Sequence, residues 1–105
     1  MAGTTRASLF NTALPGASVN LFDPDIRSTI DGTDFELHCA FSSSGKLSVL
    51  RTFAGVTVES VLTGDVALIA GVVYTFDIST SASVSYNFRY SNASGTVQFF
   101  KVNEL

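Results

Sequence analysis

The sequence predicts an all-β protein, a small jelly-roll-like antiparallel β-sandwich of about eight strands. Short runs in which apolar and polar residues alternate recur about every ten residues, with turn residues between them. No segment keeps a helical period for more than about one turn. An immunoglobulin-like sandwich is the alternative, although the Trp and the Cys pair usual in its core are absent.

The clearest alternation lies between residues 71 and 90. One face of residues 72–78 is apolar, a break of small residues follows at 79–83, and residues 84–90 alternate again. This pattern predicts an antiparallel hairpin on which the rest of the sandwich packs. Asp77 and Arg89 are then expected on its outward face, as a cross-strand charge pair.

The first part of the chain contains fewer large apolar residues. Residues 1–14 are predicted to form an N-terminal arm or an edge strand, and residues 15–105 a single β-sandwich domain. Pro15-Gly16 indicates a turn, and residues 17–22 are predicted to be a strand. That strand ends at Pro24, which cannot donate a hydrogen bond to a sheet.

Further strands are predicted at residues 35–42, 46–53, 56–62 and 96–102, with a short apolar segment at 66–70. In the last strand the alternation slips, because Val97 and Phe99 fall on one face and Phe100 and Val102 on the other. Either this strand is buried on both faces or a β-bulge shifts its register.

Charge and hydropathy exclude some classes of function. The net charge is −3 and the Lys and Arg residues are scattered singly, which argues against a nucleic-acid-binding protein. No apolar run approaches the roughly 20 residues of a membrane-spanning helix. Charged residues make up only 14% of the chain, against about 25% in a typical soluble domain. Either another subunit covers part of the surface, or the chain is a sandwich rich in Ser and Thr.

Few residues point to catalysis or to a cofactor, and we predict neither. Cys39 and His38 are the only residues of their types and should face opposite sides of a strand, so they cannot share a metal. Cys39 is interpreted as a buried apolar side chain. A Ser-His-Asp hydrolase built on His38 remains open, but the Gly-x-Ser-x-Gly motif is absent.

Acidic residues cluster between positions 23 and 36. Asp23, Asp25, Asp31 and Asp34 are weak candidates for a calcium site, since loop carboxylates at one end of a sandwich can bind this ion. Their spacing matches no EF-hand loop. We favour solvated turn residues that keep a sheet edge from pairing.

The second half of the chain, residues 47–105, resembles small β-sandwich virion accessory proteins of tailed phages and archaeal viruses. The resemblance rests on four segments, Leu-Ser-Val-Leu-Arg-Thr at 47–52, Leu-Ile-Ala-Gly-Val-Val-Tyr-Thr-Phe-Asp at 68–77, Tyr-Asn-Phe-Arg-Tyr at 86–90 and Val-Gln-Phe-Phe-Lys-Val-Asn-Glu at 97–104. It implies a capsid decoration or tail-associated protein located in the virion, commonly a homotrimer, with a major capsid or tail protein as partner.

The expected function is therefore that of a non-enzymatic structural protein of a virus particle, a cement or spike-base protein that self-associates. The residues expected at the contacts are Leu9, Phe10 and Leu14 in the arm and Phe100 and Val102 in the last strand. A carbohydrate- or receptor-binding module, such as a tail-fibre tip, is the alternative. It requires exposed aromatic side chains, and Tyr74, Tyr86 and Tyr90 are the residues whose exposure separates the two.

Overall fold

The structure is a computed structural model. It describes residues 4–16, 19–23, 25–27, 34–79 and 84–104. These residues form eight strands and no helix. The strands are β1 (Thr4–Ala13), β2 (Ile26–Arg27), β3 (Asp34–Phe41), β4 (Leu47–Phe53), β5 (Val56–Val61), β6 (Tyr74–Ser79), β7 (Ser85–Tyr90) and β8 (Thr96–Glu104).

The strands form two four-stranded antiparallel sheets, in the orders β1-β8-β3-β6 and β2-β7-β4-β5. In these orders β4 pairs with β5, β3 with β6, β2 with β7 and β1 with β8. The chain is thus one long antiparallel hairpin with its tip between β4 and β5. This hairpin is rolled up so that β3 also pairs with β8 and β4 with β7. Eight strands in two such sheets make a jelly roll, and the predicted fold class is confirmed.

The predicted hairpin between residues 72–78 and 84–90 is wrong. Both segments contain strands, but β6 lies in the first sheet and β7 in the second. Asp77 is paired across to Glu36, while the Arg89 guanidinium donates to Asn20 Oδ1 at 2.8 Å, so the expected charge pair does not form. An alternating pattern indicates that one face of a strand is buried, but it does not say which strand lies beside it.

The segment before β2 also differs from its prediction. Residues 19–23 are irregular, and residues 17 and 18 lie outside the described part of the chain. The Leu21 amide still donates to the Phe88 carbonyl at 2.9 Å, so the segment follows the edge of β7 without forming a regular strand. The short apolar segment 66–70 forms no strand, and it makes one isolated bridge, from Leu68 to Gly45.

The Asn87 side chain replaces the missing backbone pairing beside β7. Its Oδ1 accepts from the amides of Phe22 and Phe88 at 3.0 and 2.9 Å. Its Nδ2 donates to the Phe22 carbonyl and to Asp25 Oδ1, both at 2.6 Å. Asn87 is only 2% exposed, although the alternation of β7 places it opposite the core. One amide therefore holds Phe22 and Asp25 against the second sheet.

A β-bulge in β8 accounts for the slipped alternation of the last strand. Ala40 pairs with Phe99 but Phe41 pairs with Val97, so Gln98 has no partner of its own on β3. The extra residue reverses the phase of the strand, and Val97, Phe100 and Val102 all become buried. Of the two alternatives the sequence left open, the bulge is the one observed.

Aromatic side chains join the two sheets. The ring of Phe41 on β3 stacks on that of Tyr90 on β7, with centroids 3.8 Å apart and planes 6° apart. Phe100 on β8 meets Phe88 on β7 edge to face at 5.0 Å, and Phe35 on β3 meets Tyr86 at 4.8 Å. Pairs of this kind contribute about 0.5–1.5 kcal/mol each beyond their buried area.

Replacing Asn87 by Ala should destabilise the protein by about 2–3 kcal/mol, because the amides and carbonyl it satisfies would be left unpaired. Urea unfolding of the wild type and of Asn87→Ala measures this difference. The matched control is Asn103→Ala, which removes one exposed hydrogen bond, from Thr5 Oγ1. Equal losses in the two variants would show that Asn87 does not hold the segment.

Candidate functional site

The residues predicted at the contacts occupy two different environments. Phe100 and Val102 are 0% exposed and Leu14 is 8% exposed, and all three belong to the core of this chain. Their assignment to a partner surface is therefore corrected, since side chains packed inside the sandwich are not available to a second subunit. Phe10 is 73% exposed on the outward face of β1, and Leu9 is half-buried against the core.

The apolar surface of the molecule lies elsewhere. Among the described residues, ten large hydrophobic side chains are exposed, and eight of them fall between positions 53 and 73. We call these eight the 53–73 surface. Its members are Phe53, Val56, Val58, Val61, Val66, Ile69, Val72 and Val73. Single exposed apolar residues are ordinary, whereas a concentration of this kind is typical of a contact site.

The 53–73 surface follows one side of the sandwich. Aromatic contacts place β7 over β3 and β8, so the strand orders put β5 and β6 together at one side and β1 and β2 at the other. At the β1–β2 side, the Arg6 guanidinium donates to the Arg27 carbonyl at 3.0 Å and bridges the two sheets. The connection from β5 to β6 crosses between the sheets at the opposite side and carries the other half of the exposed residues.

The sandwich is open along β5. Val56 and Val58 pair with Phe53 and Arg51, which share the core-facing side of β4 with the fully buried Val49. Yet Val56 is 64% and Val58 58% exposed. All six residues of β5 are exposed, so β6 in the other sheet does not cover this strand. The inner face of the sandwich therefore continues outward as an uncovered apolar strand.

Hydrogen bonds hold the connection between β5 and β6 in place. The Leu68 amide donates to the Gly45 carbonyl and the Gly71 amide to the Phe41 carbonyl, both at 2.7 Å. Tyr74 Oη accepts from the Ile69 amide at 3.0 Å. Leu68 is buried in the core, while Ile69 on the other side of the chain is exposed. The apolar side chains of this connection are thus presented by a fixed backbone.

The 53–73 segment carries little charge. Glu59 and Asp65 are its only charged residues, and it contains no Lys or Arg. Recognition of a phosphate or another anion is not supported by these residues, and Arg51 on β4 is the one cation paired with β5. Its chemistry favours burial of apolar area and pairing of the free edge of β5.

A second arrangement connects three polar residues on the outward face of the first sheet. His38 Nε2 lies 2.7 Å from Glu36 Oε1, and His38 Nδ1 lies 3.1 Å from Thr75 Oγ1. A hydroxyl, an imidazole and a carboxylate in this order have the composition of a nucleophilic triad. However, the His38 and Glu36 side chains are 30% and 37% exposed, and catalysis of this kind uses a site that excludes water. We interpret the three as a bridge between β3 and β6.

The acidic residues do not assemble into a cation site in the part of the chain that is described, where no three or more His, Cys, Asp or Glu side chains converge. Asp31 lies outside that part. Asp23 and Asp25 line a shallow cavity of about 370 Å³, and Arg6 and Arg27 line it too. Asp25 in addition accepts a hydrogen bond from Asn87.

Most of the three tyrosines whose exposure distinguishes the structural from the sugar-binding function are buried. Tyr86 is 0% and Tyr90 1% exposed. Tyr74 is half-buried, and its hydroxyl is engaged by Ile69. Two of the three aromatic side chains that a sugar-binding platform would need are therefore core residues.

Burial also suppresses the ionisation of core side chains. It raises the pKa of the Cys39 thiol from 9.0 to about 12. Burial, with smaller contributions from Cys39 and Tyr74, raises the pKa of Tyr90 from 10.0 to about 12. The pKa of Tyr86 rises further, also mainly through burial. A thiol that stays protonated is no nucleophile at neutral pH, which agrees with the interpretation of Cys39 as a core residue.

Comparisons of the chain with protein-family models, with curated proteins and with solved structures find no match. No helix long and apolar enough to cross a membrane occurs in the described residues.

The alternation of residues 56–62 gives no indication of the 53–73 surface, but another feature of the sequence does. Val56, Val58 and Leu62 are in phase, which predicts a core face, but only Leu62 packs against the core. That feature is the run of apolar residues at 66–73, which exceeds what one short connection in a small core can bury. That excess is visible without knowing the neighbours of β5.

The buried thiol and phenols should make the protein lose stability at alkaline pH. Their folded-state pKa values are raised, so this stability is present below about pH 9 and is lost as the pH rises toward 12. Urea unfolding at a series of pH values between 8 and 11 measures the slope. In Cys39→Ala the slope should be shallower by up to about 1.4 kcal/mol per pH unit. Identical slopes would contradict a raised pKa for Cys39.

Proposed function

We propose that this chain is a non-enzymatic structural protein of a virus particle, a capsid decoration, cement or spike-base protein that self-associates and binds a capsid or tail lattice. The observation that supports the proposal best is the 53–73 surface, which holds eight of the ten exposed large hydrophobic side chains. It replaces the core residues Leu14, Phe100 and Val102 as the expected contact region.

The size of this surface is sufficient for association. Full burial of one Val, Ile or Phe side chain contributes about 1.5–3 kcal/mol. The eight residues are between 42% and 71% exposed, so burying what remains of them contributes on the order of 10 kcal/mol for each subunit. This is comparable with the roughly 4–15 kcal/mol lost when two molecules become one.

Two further observations support a role in a virus particle. Jelly rolls with two Greek keys are common in viral capsid domains, although they also occur in lectins and cupins. The segments 47–52, 68–77, 86–90 and 97–104, which carry the resemblance to virion accessory proteins, fall largely on β4, β6, β7 and β8 and on the connection before β6. The resemblance implies a trimer and a major capsid or tail protein as partner.

Self-association should appear as a molar mass above that of the 11.1 kDa chain in light scattering over a concentration series. The double variant Val66→Lys, Val73→Lys should require a protein concentration at least about tenfold higher to reach the same mass, because two charges would have to be buried. Both positions are more than 60% exposed, so the variant should fold.

The matched control is Val19→Lys. Val19 is also exposed, but it lies beyond β7 at the opposite side of the second sheet. Its association should equal that of the wild type. A monomer at every concentration would remove self-association from the proposal. Absence of the chain from purified particles of its virus, tested by mass spectrometry, would contradict the virion assignment itself.

A further inference from the structure

We infer that the free edge of β5 pairs antiparallel with β5 of a second copy of this chain, about a two-fold axis at Val58, so that two four-stranded sheets become one of eight strands. This inference rests on the proposed self-association and names one contact within it, along β5. It follows from the exposure of the edge, the direction of its free backbone groups and the position of its one charge.

Among the four edge strands, β5 is the one that is regular over its whole length and still has apolar side chains exposed. β1 is interrupted by a register shift at Arg6 and has a positive φ of 47° at Asn11, and β2 has two residues. β6 is as long as β5, but its apolar side chains Tyr74, Phe76 and Ile78 already pack against the core, so pairing at its edge would bury little further apolar area. The six pairs between β5 and β4 are continuous and contain no bulge, Pro or Lys, the usual devices that protect an edge.

The phase of the hydrogen bonds determines which backbone groups of β5 are free. The Leu62 amide donates to the Leu47 carbonyl at 2.8 Å, directly after the last β4–β5 pair. Because hydrogen-bonded and non-hydrogen-bonded pairs alternate, Val56, Val58 and Ser60 direct their backbone groups toward β4. Thr57 and Glu59 therefore direct their amides and carbonyls toward solvent, where a further strand can bind them.

Two symmetric registers pair both Thr57 and Glu59 with residues of β5 in the second copy and keep the core-facing sides of both copies together. A two-fold axis at Glu59 places the two Glu59 carboxylates directly opposite each other, which is unfavourable. An axis at Val58 places Thr57 of one copy opposite Glu59 of the other, and both pairs are hydrogen-bonded. The two carboxylates then lie on a diagonal, about 7–8 Å apart at the backbone. The second register is preferred.

The register at Val58 also buries apolar side chains. Val58 meets Val58 of the second copy in a non-hydrogen-bonded pair, the kind in which side chains approach most closely. Val56 lies opposite Ser60 of the second copy on the same face. The uncovered inner face of each sandwich is thereby continued by that of its partner.

A second copy is the occupant that fits this edge. The occupant must supply a free strand edge with small or β-branched side chains and no charge opposite Val58, and β5 itself meets each requirement. The charges around this edge are few and of both signs, namely Glu59 and Asp65 in the segment itself and Arg51 beside Val58 on β4, so they offer no single-sign pattern that would select a different, highly charged partner. Two-fold pairing of identical surfaces is also the commonest way in which subunits associate.

Cysteine cross-linking tests the register. In Val58→Cys, the two new thiols should lie about 4.5 Å apart at their Cα atoms, within the range of a disulfide. Treatment with copper phenanthroline and oxygen, which removes the two electrons and two protons, should convert most of the protein to a covalent dimer on a non-reducing gel. Val56→Cys is the matched control, since it is at least as exposed but faces Ser60, and should cross-link at least about tenfold more slowly. In the wild type, Cys39 is buried and should not cross-link.

Light scattering of the wild type, of Val58→Lys and of Val19→Lys completes the test. A dimer that Val58→Lys weakens by at least about tenfold, and that Val19→Lys leaves unchanged, is the expected result. Cross-linking of Val56→Cys in preference to Val58→Cys would overturn the register. A wild-type trimer without Val58→Cys cross-linking would overturn this inference and leave self-association standing. A monomer at all concentrations would overturn both.

Discussion

The contact between the two sheets through β3, β7 and β8 is the constraint on which the rest of the molecule depends. Phe41 stacks on Tyr90, and Phe88 and Phe100 meet edge to face, so the centre of the sandwich is filled by aromatic side chains. Gly45 passes so close to Tyr90 that an added Cβ would lie 2.8 Å from its ring. This densely packed centre determines the spacing between the two sheets.

A core placed at the centre leaves the two sides of the sandwich unequal. The β1–β2 side is bridged by Arg6 and further held by Asn87, which binds Phe22 and Asp25 to the second sheet. On the β5–β6 side the connection between the two strands is hydrogen-bonded to both sheets, but β5 itself is exposed at all six residues and is not covered by β6. Small domains can bury only a limited fraction of their apolar surface. In this chain the shortage of cover affects β5 and the connection after it. That shortage is the physical basis for the proposed self-association.

The structure shows which part of the surface is weakly charged. A weakly charged surface alone is compatible with a monomeric sandwich rich in Ser and Thr. In this molecule the exposed apolar residues are gathered between positions 53 and 73, whereas the outward face of the first sheet carries Glu36, His38, Thr75 and Lys101. The two faces therefore differ in chemistry, as expected when one is covered in an assembly and the other meets water.

The sequence by itself determined the all-β class and the positions of most strands, because alternation with a period of two reports the burial of one face locally. It determined that Cys39 lies inside, since that residue is in phase with Phe35 and Leu37. It did not determine which strands are neighbours. The tertiary structure decided that β6 and β7 lie in different sheets, that the bulge at Gln98 turns Val97, Phe100 and Val102 all inward, and that Val56 and Val58 remain exposed on a core-facing side. These outcomes depend on contacts between residues far apart in the chain, and a local pattern carries no information about them.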